Sequence, residues 1–348
     1  MKLIDSEKFK RNIDGYEVGL YTLRNKNGTT AQITNYGARL VSWFLPDSQG
    51  KTVDVVLGYE TLDAYLKDPF YFGATIGRYA NRIAQGRFHL YGSDYQLTQN
   101  EKPHHLHGGE KGLHRQFWFV NHYRENEIEM HTSSFDGDDG YPGRISVTMI
   151  YRLREDDALH ILFTATTDKP TILNLTNHAY FNLHGEGNGT ILDHQLMVQA
   201  DYFTPVDTAS IPTGEVVSVN DSPFDFREFR TIGEKIRLNH EQLRIGKGYD
   251  HNFVIRNGET RVKEMAVLRD TGSGRALRVF GSQPGLHVYT GNRLNDVRGK
   301  HGHIYSRHAG VCLEAQFFPD SPNHPHFPLT ILMPEHVYRH EIIYKPER

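Results

Sequence analysis

Apolar side chains return at every second position along much of this chain, the spacing of a strand with one face buried and the other in water. Ile145, Val147, Met149, Tyr151 and Leu153 share one face, and Ser146, Thr148, Arg152 and Arg154 mostly oppose them. Ala158 to Thr166 reads as a strand buried more fully, with Ile161 and Phe163 pointing one way and Leu162 and the threonines the other. Glycine punctuates such runs at Asp136-Gly137-Asp138-Asp139-Gly140, Asn188-Gly189, Asn257-Gly258 and Thr271-Gly272-Ser273-Gly274. Glycine and asparagine accept positive φ at little cost, so each predicts a turn. A helical period is scarce. Its best instance spans Thr231 to Leu243, where Ile232 and Ile236 stand four residues apart. Many strands, few short helices, and no repeat, low-complexity tract or Pro/Ser-rich linker predict an all-β protein: one large antiparallel β-sandwich over residues 1–348 rather than two domains.

Composition narrows the function. At 348 residues the chain can bury a large core, and a formal net charge of −3 offers no basic face to nucleic acid. The lone Cys312 excludes an intramolecular disulfide, and the opening MKLIDSEKFKRNIDG lacks the apolar stretch of a secretory signal. No apolar run approaches the roughly 18 residues of a membrane helix. The expectation is a soluble cytoplasmic protein, monomer or homodimer, with neither nucleic acid nor membrane as partner.

Polar residues gather in islands. The densest, Asn174-Leu175-Thr176-Asn177-His178-Ala179-Tyr180-Phe181-Asn182-Leu183, surrounds a histidine with amide, hydroxyl and aromatic groups. A core segment avoids such a mixture because every buried amide needs several hydrogen-bond partners, whereas a sugar pocket wants it. On these residues alone His178 is either a structural histidine or a catalyst. Gly77-Arg78-Tyr79-Ala80-Asn81-Arg82-Ile83 and Gly248-Tyr249-Asp250-His251-Asn252-Phe253 are further islands, each equally readable as a surface turn or a local cap. In Val311-Cys312-Leu313-Glu314-Ala315-Gln316 the alternation puts Glu314 on one face with Cys312 and Gln316, opposite Val311, Leu313 and Ala315. A carboxylate in such a strand marks an edge or a function. The chain holds 21 histidines, and His104-His105-Leu106-His107-Gly108-Gly109 with His114 invites a metal, as in a cupin-like β-barrel. No Cys pair or His-Glu-x-x-His spacing accompanies it, so the segment predicts no metal site; Gly108-Gly109 would let the backbone turn beside a ligand while His107 supplies a hydrogen bond.

Together the islands resemble the aldose 1-epimerases, the galactose mutarotases. Asn174 to Leu183 is similar to that family's histidine signature, and the likeness continues through GRYANRIA, LHGG, DGYPG, DYFTPVD, IPTGE, GYDHNF, YTGN, CLEAQ and PDSPNHP, covering nearly the whole chain. Gly112 to Phe117 departs from the family's wording, at the expected rim of the pocket. The resemblance implies the family's galactose mutarotase-like supersandwich. It also implies His178 as proton donor and Glu314 as proton acceptor, with sugar-hydroxyl contacts from Asn81, Arg82, His107, Asp250 and Gln283, Tyr180 beside the donor, and no cofactor or metal.

The implied chemistry suits those residue types. Exchanging the anomers of a free aldose such as galactose or glucose requires the hemiacetal to open, rotate about C1–C2 and close. The anomeric hydroxyl loses a proton while the ring oxygen gains one, so an acid and a base on opposite sides of the substrate are expected. Arg82 would donate a fork to sugar oxygens, Asp250 would accept from two hydroxyls, and Tyr180 would either lie against the ring or pack in the core. Three alternatives stand beside this one. A non-catalytic sugar binder would have no need of both His178 and Glu314. A glycoside hydrolase would use two carboxylates, for which Asp250 and Glu314 qualify. An epimerase of hexose 6-phosphates would want a cationic cluster, and only Arg78 and Arg82 stand near the expected site.

Overall fold

The computed structural model describes residues 1–13, 15–47, 49–256 and 261–347. Its largest sheet has nine strands, in the order Phe119–Arg124, Glu127–Ser134, Ile145–Leu153, Leu159–Thr167, Tyr338–Glu347, Ala276–Gly281, Lys263–Arg269, Gln195–Val198 and Arg230–Thr231, with antiparallel ladders throughout. Alternation builds it: every second residue from Ile145 to Leu153 is buried, and Met149 and Tyr151 pair with Phe163 and Ile161 across the ladder. The neighbouring strand departs from expectation. Leu159–Thr167 is not buried on both faces: Leu162 is half-buried and Thr166 exposed, because the outer face of this sheet stays open to water.

A six-stranded antiparallel sheet packs against the nine. Its members are β1 (Tyr180–Phe181), β2 (Ala200–Thr204), β3 (Val217–Ser218), β4 (Asp250–Ile255), β5 (Gly285–Tyr289) and β6 (Val311–Gln316), in the spatial order β1-β6-β5-β4-β2-β3. Val311, Leu313 and Ala315 of β6 join Leu277, Val279, Ile342 and Tyr344 of the larger sheet in one hydrophobic cluster. That packing decides the orientation of everything between them: Cys312, Glu314 and Gln316 must face the other way. A four-stranded meander, Leu20–Arg24, Thr30–Thr34, Arg39–Pro46 and Thr52–Asp54, completes the core through Leu23, Ala31, Ile33, Trp43 and Leu45. The architecture is a large antiparallel sandwich with few short helices.

The expected helix over Thr231 to Leu243 is two. Thr231 stands at the N-cap of Ile232–Lys235, and His240 at that of a separate Glu241–Gly246. His240, with extended backbone at φ −120° and ψ 133°, interrupts the period between them, and neither Thr231 nor His240 makes a side-chain capping hydrogen bond. Positive φ at Gly137, Gly140, Gly189 and Gly274 carries the expected turns; Asn257-Gly258 lies outside the described residues. Among the described residues no helix is long and apolar enough to cross a membrane.

Candidate active site

The free face of the six-stranded sheet forms the floor of an open cleft. His178, Glu314, Asn81, Arg82, His107, Tyr180 and Asp250 all line it, drawn from segments as far apart in the chain as Asn81 and Glu314. Gln283 does not. Its amide donates to the Tyr338 hydroxyl at 3.1 Å, and His287, four residues on, lines the cleft instead. The alternation Gly285-Leu286-His287-Val288-Tyr289 was the available signal, since it puts His287 and Tyr289 together on one face of β5.

His178 ends the strand Thr176–His178, pinned by pairing with Ala74 and by the Gly73 N–H donating to its carbonyl at 3.0 Å. Its Nε2 stands 3.8 Å from Glu314 Oε1 and its Nδ1 3.6 Å from Cys312 Sγ. Tyr180, His107 and Tyr71 ring it, with centroids at 5.1, 5.3 and 5.9 Å. The two groups therefore converge from one wall rather than standing on opposite sides of a sugar. Burial pushes the His178 imidazole down to about 3. Burial, reinforced by the negative charge of Asp250, pushes the Glu314 carboxyl well above its ordinary range. Each group alone resists charge, so burial favours a neutral imidazole beside a carboxylic acid, with one proton between the two groups.

The asparagines around His178 serve the backbone rather than the cleft. Asn174 donates to Ala80 and Phe317 carbonyls and accepts from the Phe317 N–H, Asn177 donates to Gly73 O and the Tyr151 hydroxyl, and Asn182 donates to Ala309 O. None of the three lines the cleft. This corrects the pocket expected from that mixture: the amides tie loops together so that one histidine is held in place.

His107 is fixed as a neutral donor. Its Nδ1 accepts from the Asn81 N–H at 3.1 Å, its own N–H returns to Asn81 O at 3.0 Å, and a neutral imidazole with that lone pair occupied carries its proton on Nε2. Burial, then the positive field of His178 and Arg82, keeps it well below the ordinary histidine range. The backbone bends as expected beside it: a Cβ at Gly108, where φ is +84°, would lie 1.8 Å from the Gly77 carbonyl oxygen.

Asp250 accepts from His287 Nε2 at 2.8 Å. Although burial opposes it, that hydrogen bond and the charges of His287 and Arg82 hold Asp250 below the ordinary carboxylate range, so it stays an acceptor. Arg82 is less free than its sequence suggests. Nε and Nη2 are spent on Glu101 at 2.6 and 3.1 Å, and Arg293 at the mouth donates to the same carboxylate at 3.0 Å. Tyr71 is a wall residue with no signal in the sequence. The buried Arg39–Asp68 pair, at 2.6 Å, grips the loop beneath it: Asp68 accepts from the Phe70 and Phe72 N–H groups, and Tyr71 is held at φ +61°. Tyr180 both lines the cleft and packs, its hydroxyl tied to Phe70 O at 2.9 Å.

The other histidines do not converge there. His104 accepts from the Gln85 N–H, and His105 is buried between Thr98 O and the Tyr141 hydroxyl. His114 packs on Tyr71. Among the described residues, His184, His194 and Asp270 are close enough to share an ion. His194 Nε2, however, accepts the Leu183 N–H at 2.9 Å, which leaves a neutral imidazole no second lone pair for a metal.

A large antiparallel sandwich with few short helices is the mutarotase-like fold, and comparison with known proteins agrees. The aldose 1-epimerase family profile matches residues 19–345. The chain is 41% identical over 314 residues to a galactose mutarotase of Bos taurus, covering 90% of each. A crystal structure of an aldose epimerase homologue from C. elegans superposes with a TM-score of 0.88 at 34% identity, covering 95% of this chain and 99% of that one. A galactose 1-epimerase from Lactobacillus acidophilus gives 0.85 at 29%, covering 97% and 96%. The chain belongs to the aldose 1-epimerase family, among isomerases of carbohydrate metabolism.

Proposed function

We propose that the chain interconverts the α and β anomers of free aldohexoses such as galactose and glucose, with His178 as proton donor and Glu314 as proton acceptor. The observation that carries this is their convergence at 3.8 Å on one wall of the cleft. O1 and the ring oxygen of a hemiacetal are both bonded to C1, so a base for one and an acid for the other belong side by side. In the opening step Glu314 takes the proton of O1–H, the C1–O1 bond becomes a carbonyl, the C1–O5 bond breaks and His178 protonates O5. Rotation about C1–C2 presents the other face. Closure returns both protons, so protons and electrons balance without a further reactant.

The shared proton matters to this cycle. Imidazole with carboxylic acid and imidazolium with carboxylate have the same net charge, and burial favours the first. Sugar hydroxyls donating to Glu314 favour the second, which is the working form. Asp250, Asn81 and His107 hold the ring: Asp250 accepts from hydroxyls, and His107 Nε2–H donates. The cations near the cleft argue against a hexose 6-phosphate, because Arg82 and Arg293 both spend their charge on Glu101.

Polarimetry tests the proposal. Freshly dissolved α-D-galactose and α-D-glucose should reach rotational equilibrium faster with the protein than without it. An unchanged approach for both sugars, while binding is still measurable, would leave a sugar-binding protein.

A further inference from the structure

Behind the catalytic pair, on the same sheet face, lies a group of buried polar atoms that no side chain satisfies. Glu314 Oε2, both amide atoms of Gln316 and the Asn252 amide oxygen have no hydrogen-bond partner among the described residues, although these residues are no more than 1% exposed. The register makes them neighbours. On β6 Glu314 and Gln316 are two apart on one face; Glu314 stands opposite His287 of β5, Gln316 opposite Gly285, and Asn252 of β4 opposite His287. Gly285 is the open corner of this arrangement. A Cβ built there would lie 2.3 Å from Asn252 Oδ1, so the amide oxygen leans across the glycine toward β6, while its nitrogen is held by Thr204 Oγ1 at 3.4 Å.

Buried polar atoms are nearly always paired, and although His287 stands between Asn252 and Glu314 in the register, Gly285 places no side chain beside Gln316, where a single water suits the group. One water can accept from Gln316 Nε2–H and donate to Glu314 Oε2 and Asn252 Oδ1, its two hydrogens leaving Gln316 Oε1 outside the arrangement. We propose that Asn252 and Gln316 hold such a buried water against Glu314 Oε2, over Gly285, and that this water is the donor that lets Glu314 carry charge before it takes the sugar's proton. Gln316 and Asn252 are then positioning residues, acting through the water on the base. The proposal rests on the reading of Glu314 as that base.

The charged and titratable groups near Glu314 are His178 beside it, His287 and Asp250 from β5 and β4, Cys312 on its own strand, Tyr180 of β1, Tyr344 of the larger sheet and Arg82 of the short strand Arg82–Ile83. Gln316→Met leaves all of them and removes the amide. Losing a donor to the carboxylate makes the pair's last proton harder to remove, so the alkaline limb of kcat/KM should move up by about one pH unit while KM for galactose stays within about twofold. Asn252→Ala should move it in the same direction by less.

An atomic-resolution crystal structure of the wild-type protein should show density for a water within hydrogen-bond distance of Glu314 Oε2 and Gln316. Absence of that density overturns the proposal, and so does an unmoved alkaline limb in folded Gln316→Met; the density decides alone if that variant does not fold. Failure of the underlying reading looks different: Glu314→Gln would retain activity whether or not the water is present.

Discussion

Two regions crowd histidines against carboxylates, and they differ in what is left unpaired. In the cluster of His184, Asp193, His194 and Asp270, both nitrogens of His184 meet carboxylates at 2.9 Å, Asp270 also accepts the Gly272 and Ser273 N–H groups, and His194 accepts from Leu183. In the cleft, Glu314 Oε2 has no hydrogen-bond donor among the described residues, and His178 Nε2 stands beyond hydrogen-bond length from Glu314 Oε1. The first cluster is spent on itself and holds loops together. The second keeps lone pairs and protons available to a substrate, at the cost of burying groups that resist charge. Residue type does not separate them; hydrogen-bond satisfaction does.

The sharpest way to break this contrast is Glu314→Gln, which preserves shape and removes the base. Mutarotation should fall by roughly 10²–10⁴-fold while galactose binding remains measurable by calorimetry. A variant with more than about a tenth of wild-type activity would mean that the unpaired carboxylate is not the reactive one. His178→Asn should cost a similar factor, and its residual rate should lose the limb that belongs to the imidazole.

Next in size is Asp250→Asn. Without the acceptor that His287 orients, KM should rise by tenfold or more with a smaller change in kcat, read from initial rates over a galactose series. An effect confined to kcat would move Asp250 from binding to chemistry.

The pH profile sharpens the contrast further. His178 is pushed down to about 3 and Glu314 is pushed up, so the state with one shared proton should span a wide window. Activity should fall at acid pH, toward 3, as a second proton joins the pair. It should fall on the alkaline side as the last proton leaves, above the ordinary carboxylate range. A narrow bell centred between unperturbed carboxylate and imidazole values would show that the dry environment does not govern the pair.

The smallest effect should come from the self-satisfied cluster. His184→Ala strands Asp270 without its imidazole partner, costing about 1–3 kcal/mol of stability, seen as a melting temperature lower by a few degrees, with activity per folded molecule unchanged. Prolonged chelation should leave the rate unchanged as well; loss of activity restored by zinc would reopen the histidine clusters as metal sites.

Sequence alone determined which faces exist. The alternation from Ile145 to Leu153 names a strand and its buried side, and in Val311 to Gln316 it sets Glu314 opposite the core-facing residues, as the packing of Leu313 and Ala315 bears out. Alternation failed where its local context ran out: the threonine-rich strand ending at Thr167 is open on one face, and the Thr231 to Leu243 period breaks at a cap. For the site, resemblance named residues of which the structure gathers all but Gln283 into one cleft, and it offered nothing for His287 or Tyr71. Nor did it show that Arg82 is committed to Glu101, or that the asparagines near His178 serve backbone carbonyls. Only the tertiary structure decided these points, because whether a polar atom is spent or available depends on partners distant in the chain. A face is a property of local period, while an unpaired lone pair is a property of everything packed around it.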